Sequence, residues 1–141
     1  MADRDLRTLL DLYKSSVSNK DIASLMSLYD NDIRAFDTWG VWLYEGFDEW
    51  RKMNEKWFHS LGRERDIVEF NDVKVESTEH FGFASAVATY SAVSDSGEVI
   101  RSMQTRLTWI ARKYAGQWKI VHQHTSVPID GSTISAILTR A

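Results

Sequence analysis

Two histidines stand near the end of the chain with one residue between them, in Trp118-Lys119-Ile120-Val121-His122-Gln123-His124-Thr125-Ser126. The segment reads as a strand. Side chains alternate faces along a strand, so Trp118, Ile120, His122, His124 and Ser126 are expected on one side. That side begins apolar and ends with two imidazoles and a hydroxyl, the composition of a polar mouth on an apolar pocket. An imidazole titrates near neutral pH, so the pair offers a general acid or base and a hydrogen-bond donor. The plainer alternative is that one of them is a satisfied core histidine. The spacing also suits a metal, but a third ligand would have to come from Asp37, His59 or His80, and nothing local supplies it. The expectation is a site without metal.

Arg106 shares a strand face with Thr108 and Ile110, while Leu107, Trp109 and Ala111 take the other. If the first set faces inward, its guanidinium lies beside the histidine strand and needs a partner, because burying it unpaired is costly. A ligand carboxylate or enolate oxygen held bidentately would serve. So would an internal salt bridge to Asp37, Asp32 or Glu69. Asp37 ends a short apolar stretch before Thr38-Trp39-Gly40. There an aspartate often caps a turn, and Phe36, Trp39 and Trp42 around it would desolvate its carboxyl and raise its pKa. Tyr13 lies on the inner stripe of a first helix, where a tyrosine is usually core. Trp39, Trp42, Tyr44, Trp57 and Tyr90 read as the lining of a cavity for a flat or carbocyclic ligand, or as core and dimer surface.

The elements that must position these groups are helical in the first half and extended in the second. Leu6, Leu9, Leu10, Tyr13 and Val17 recur at three-and-four spacing and mark an amphipathic first helix. Ser18-Asn19 breaks it, and a second helix carries Ile22, Leu25, Met26 and Tyr29 until Asp30-Asn31-Asp32 ends it. Ile33 to Asp37 is a short strand, followed by an irregular loop around Gly40. A third helix follows Gly46, with Asp48 and Glu49 in its first turn and a buried stripe of Phe47, Trp50, Asn54, Trp57, Phe58 and Leu61. From Asp66 the period becomes two. Val68 and Phe70 lie on one parity and Val73 and Val75 on the other, so a bulge is expected at Asn71-Asp72. Phe81 to Val93 and Glu98 to Lys113 form two long strands joined by Ser94-Asp95-Ser96-Gly97, and Tyr114-Ala115-Gly116-Gln117 turns into the histidine strand. Strands of such length span roughly 40 Å and cannot stay flat. The expected fold is α+β, a cone of three N-terminal helices packed on a strongly curved antiparallel sheet. A single domain is expected over 1–128, with 129–141 a tail that is either frayed or docked on a partner.

Composition narrows the chemistry. With 17 basic and 20 acidic residues among 141, and no basic cluster, nucleic acid is disfavoured as a partner. The absence of cysteine excludes disulfides and thiolate catalysis. Met1 to Arg7 alternates in charge without an apolar signal core, and no stretch approaches membrane-spanning length, so a soluble, cytoplasmic protein is expected. Six tryptophans, five tyrosines and six phenylalanines are a heavy aromatic load for this size. Phosphate-loop glycines and the Gly-x-Ser-x-Gly elbow are absent, and the expectation is a cofactor-free site.

The order of helix, helix, short strand, helix and curved meander resembles the cone-shaped fold of the nuclear transport factor two-like superfamily. Within it the chain is similar to the SnoaL-like and ketosteroid-isomerase-like proteins. The segment YKSSVSNKDIASLMSLYDNDIRAFD, from Tyr13 to Asp37, matches the opening of ketosteroid isomerase without a gap. The resemblance implies that Tyr13 donates to an oxyanion and Asp37 is the general base. The second acid of that oxyanion hole has no counterpart here, since Arg101 to Arg112 contains no Asp or Glu. Tyr44-Glu45-Gly46, Asn54-Glu55-Lys56-Trp57, Thr105-Arg106-Leu107 and Gly116 to His124 resemble the calcium/calmodulin-dependent kinase association domain, whose pocket arginines bind small carboxylates. Thr125 stands where that branch has an arginine.

Together these features point to a small-molecule pocket, with an isomerase, cyclase or dehydratase that transfers a proton next to a carbonyl as the expected enzyme. In that expectation Asp37 or a histidine takes the proton, while Arg106, the other histidine and Tyr13 hold the oxyanion. The alternatives are a non-catalytic module for a small carboxylate or apolar acid, and a dimerisation domain. The open face of a curved sheet leaves apolar surface, so a homodimer is expected there.

Overall fold

The structure is a computed structural model and describes residues 5–140. Residues 1–4 of the expected charged N-terminal run, and residue 141 of the tail, lie outside the described residues. The order is α1 (Leu6–Ser18), α2 (Ile22–Met26), β1 (Tyr29–Phe36), β2 (Tyr44–Glu45), α3 (Phe47–Ser60), β3 (Arg65–Ser77), β4 (Phe81–Val93), β5 (Val99–Tyr114) and β6 (Gln117–Ser126). Asp5 caps α1 by accepting from Arg7 N at 2.6 Å, and Asp21 caps α2 by accepting from Ser24 N at 3.1 Å. Gly46 turns into α3 at φ 91°, a left-handed value that glycine takes without strain.

One six-stranded sheet runs β2-β1-β6-β5-β4-β3. It is mixed: β3, β4, β5 and β6 form an antiparallel meander, whereas β1 lies parallel to β6. That parallel pairing corrects two expectations. The sheet is not wholly antiparallel, and Asp30-Asn31-Asp32 lies within β1 rather than ending a helix. The local turn-forming preference of these three residues yields to pairing with β6, at the cost of a register shift between Tyr29 and Arg34. α2 is accordingly a single short turn, and Leu28 and Tyr29 enter the core from the strand.

Of the register shifts in the sheet, two in the meander bear on the site. The first falls between Asn71 and Lys74, where Asp72 has φ 55°. The second is in β6: Ile110 faces His122 but Ala111 faces Ile120, so Val121 has no opposite residue. An extra residue on one strand reverses which side the rest of it presents. Trp118 and Ile120 before Val121, and Gln123 and Thr125 after it, all point inward and are buried. His122 and His124 point outward.

The core lies between the concave face and the helices, around Leu9, Leu25, Trp50, Leu107, Trp109 and Ile120. Gly82 lets α1 rest on β4, since a Cβ there would meet Leu6 Cδ1 at 2.6 Å and Glu76 O at 2.9 Å. The tail does not extend away. It folds back on its own chain, with Gln104 N donating to Leu138 O at 2.7 Å and Arg140 reaching Asp72 at 3.2 Å.

Candidate functional site

The concave side encloses a cavity of about 890 Å³. Along β4 the inward positions are Ala84, Ala86, Ala88, Tyr90 and Ala92, small except for the tyrosine, and this leaves room between sheet and helices. Tyr13 from α1 meets Tyr90 from β4, with their hydroxyls 2.8 Å apart. Tyr13 is held by Trp109 edge-on at 5.5 Å and by Phe70 at 5.9 Å. Burial raises both phenols well above the ordinary tyrosine range, so both are protonated donors at neutral pH.

Asp37 opens onto the same cavity, just past the end of β1. Thr125 Oγ1 donates to Asp37 Oδ1 at 3.3 Å and itself accepts from Thr38 N at 3.0 Å. Burial raises the Asp37 pKa, opposed by hydrogen bonds from Trp39, Thr125 and Thr38. Behind it, Gln123 Oε1 accepts from Tyr29 at 2.6 Å and from Trp109 Nε1 at 2.8 Å, fixing a buried polar wall. On the far side Trp57 Nε1 donates to Asp66 Oδ2 at 2.9 Å. Asp66 is 9% exposed and its pKa is likewise raised by burial. The mouth carries Lys56 and Arg101, the latter paired with Glu64 at 2.6 Å.

The expected residues thus divide. Tyr13, Asp37, Trp39, Tyr44, Trp57 and Tyr90 all line one cavity. Trp39 sits at its mouth, 57% exposed. Trp42 is 95% exposed and is not among the lining residues. His122, His124 and Arg106 lie on the convex face, because the Val121 bulge turns the histidines outward and Leu107, not Arg106, takes the inner parity of β5. Out there Phe36 packs edge-on between His122 at 5.0 Å and His124 at 5.4 Å. His122 Nδ1 donates to Arg34 O at 2.7 Å, and burial lowers its pKa. Arg106 Nε donates to Ser126 Oγ at 3.1 Å, so neither a carboxylate in the cavity nor an internal acid is its partner. Among the described residues, no group of three or more His, Cys, Asp or Glu is placed to hold a metal ion.

The histidine reading passed over Asp66, Thr105, Gln123 and Thr125. The signal for Asp66 was present, since it precedes Val68 and Phe70 on their own core parity. Thr105, Gln123 and Thr125 depend on which parity faces inward and on a bulge that no pattern marks.

Residues 6–130 match the sequence model of the SnoaL-like domain. No curated protein matches the sequence. Among solved structures, a nuclear transport factor two-like protein of unknown function from Pseudomonas putida KT2440 is 22% identical, with a TM-score of 0.85 over 96% of this chain and 93% of its own. A candidate calcium/calmodulin-dependent protein kinase II association domain from Xanthomonas campestris is 15% identical, with a TM-score of 0.71 over 89% of this chain and 94% of its own. A candidate dehydratase of the nuclear transport factor two-like family from Streptomyces avermitilis is 14% identical, with a TM-score of 0.72 over 89% of this chain and 95% of its own. At these identities the likeness is one of fold. Among the described residues no helix is long and apolar enough to cross a membrane.

Proposed function

This chain belongs to the SnoaL-like domain family, and we propose that its cavity binds a small ring-bearing carbonyl compound and moves a proton next to the carbonyl. The observation that carries this reading is that Asp37 and the Tyr13–Tyr90 hydroxyl pair open onto one aromatic-lined cavity. Asp37 is the base. It takes a proton from the carbon beside the carbonyl, and the C–H electron pair moves onto the carbonyl oxygen. One hydroxyl of the tyrosine pair donates to the other, which leaves one O–H free to donate to the resulting oxyanion. Return of the proton to another carbon makes the reaction an isomerisation, and loss of a neighbouring hydroxide makes it a dehydration. The name of the dehydratase from Streptomyces avermitilis fits the second course. A base works best with a pKa near the working pH, and burial moves Asp37 in that direction.

β-Tetralone in heavy water tests this reading, because its acidic ring protons exchange for deuterium once a base removes them. The protein is expected to speed that exchange. Asp37→Asn is expected to lower the acceleration by about a hundredfold or more and Tyr13→Phe by about tenfold or more. Binding that persists in the wild type without accelerated exchange would favour a binding module instead.

A second reading concerns the convex face, which we propose is covered by a second copy of the chain. Ile110, opposite His122 in the register, is 41% exposed, and Phe36 packs on both histidines. Such a face is self-complementary only about a two-fold axis, which makes a dimer the simplest closed assembly.

A further inference from the structure

Three polar groups in the cavity are left over by the reaction just proposed: Trp50 Nε1, a buried N–H without a partner among the described residues, and the side chains of Thr105 and Asp66. Thr105 is 5% exposed and lines the cavity, and its hydroxyl has no hydrogen-bond partner among the described residues. A buried hydroxyl without a partner costs free energy, and native proteins seldom tolerate it without a reason. Asp66 spends one carboxyl oxygen on Trp57, while the other takes no hydrogen bond among the described residues. The indole N–H would be satisfied by any oxygen, so it does not account for a buried acid there.

The register separates these groups. Thr125, which touches Asp37, stands opposite Leu107. Thr105 is two residues further along the same face of β5, about 7 Å from Leu107 and one strand over from Thr125. Asp66 is on β3, at the far edge of the sheet from β1. The two are four strand spacings of about 4.8 Å apart around the curve, with Tyr90 between them. The lining cations are Lys56 and Arg101, both exposed, and Glu64 already pairs with Arg101. An anionic ligand would therefore meet one buried and one half-buried carboxyl and no buried cation.

We propose that the cavity takes an elongated, uncharged ring compound with an oxygen function at each end, one end at Asp37 and Thr105 and the other at Asp66. This rests on the cavity reading above and adds the class of ligand. It also replaces the carboxylate expected from Arg106 with a neutral hydroxyl or carbonyl compound.

Calorimetric titration with three biphenyls tests it: the diol with a hydroxyl at each end, para-phenylphenol with one, and biphenyl carboxylate. The wild type is expected to bind the diol about tenfold tighter than the mono-ol, the yield of one added buried hydrogen bond, and the carboxylate weakest. Asp66→Val is expected to abolish the advantage of the diol and leave mono-ol binding intact. Asp66→Asn, which keeps an oxygen for Trp57, covers the case of a valine variant that does not fold, and is expected to reduce the advantage of the diol, because the amide N–H2 cannot accept the hydrogen bond that the free carboxyl oxygen accepts. Thr105→Val is expected to weaken both alcohols about tenfold while its melting temperature stays level or rises, because an unsatisfied hydroxyl has gone. An advantage that survives Asp66→Val, or a carboxylate that binds best, would overturn the inference and leave the role of Asp37 standing. Failure of every biphenyl to bind would overturn both.

Discussion

At the scale of single residues, burial rather than charge pairing shapes the site. Desolvation raises the pKa of Asp37 and Asp66, so the folded protein holds those protons to higher pH than the unfolded chain does. The resulting penalty is absent below the ordinary carboxyl range near pH ~4, and it is fully present above the folded-state pKa. Asp37→Asn is therefore expected to raise the melting temperature at neutral and alkaline pH and to leave it unchanged in acid. A gain that does not vary with pH would contradict burial as the cause. Asp37 and Tyr13 were legible because they fall in one ungapped segment that resembles a relative. Asp66 was legible in principle, as an acid on the core parity of an apolar strand. The unpartnered hydroxyl of Thr105 was not, because a missing hydrogen bond exists only in three dimensions.

At the scale of elements, periodicity identified three helices, the two long strands and the bulge near Asn71, all of which are set by local pattern. It misjudged what pairing decides. β1 forms through Asp30-Asn31-Asp32 because β6 offers a partner, and Val121 bulges because Ile120 and Gln123 both pack inward. One extra residue moved both histidines and the proposed base role to opposite sides of the sheet. The contact between α1 and β4 rests on Gly82. Gly82→Ala is expected to cost about 1–3 kcal/mol in chemical denaturation, since Leu6, the Glu76 carbonyl and the Ser77 side chain must shift; a neutral effect would mean the helix moves freely. The tail is different again. Leu138 lines the cavity although the family match ends at residue 130. Removing residues 131–141 is expected to loosen binding of the biphenyl diol severalfold with only a small loss of stability, because exposed polar bonds hold the segment. Unchanged affinity would show that the tail does not shape the mouth.

At the scale of the whole molecule, the reading proposed above gives the two faces of the sheet different uses. The concave face holds the cavity, and the convex face carries Ile110, Phe36, Arg34, Arg106, His122 and His124. Light scattering at micromolar concentration is expected to give a dimer, and Ile110→Asp a monomer; a monomeric wild type would contradict the covered face. Burial lowers the pKa of His122, with the charges of His124 and Arg34 adding to it. The cost falls on the acid side: it is absent above the ordinary histidine pKa of about 6.5 and grows as pH falls from there toward the folded-state value. Both histidines lie on the convex face, so the proposed reaction gives them no part in the chemistry of the cavity. Deuterium exchange into β-tetralone, measured side by side in the wild type, Asp37→Asn and the His122→Gln/His124→Gln double variant, tests that division most directly. The account predicts that exchange collapses in Asp37→Asn and persists in the double histidine variant. Exchange that survives loss of Asp37 and disappears with the histidines would contradict it.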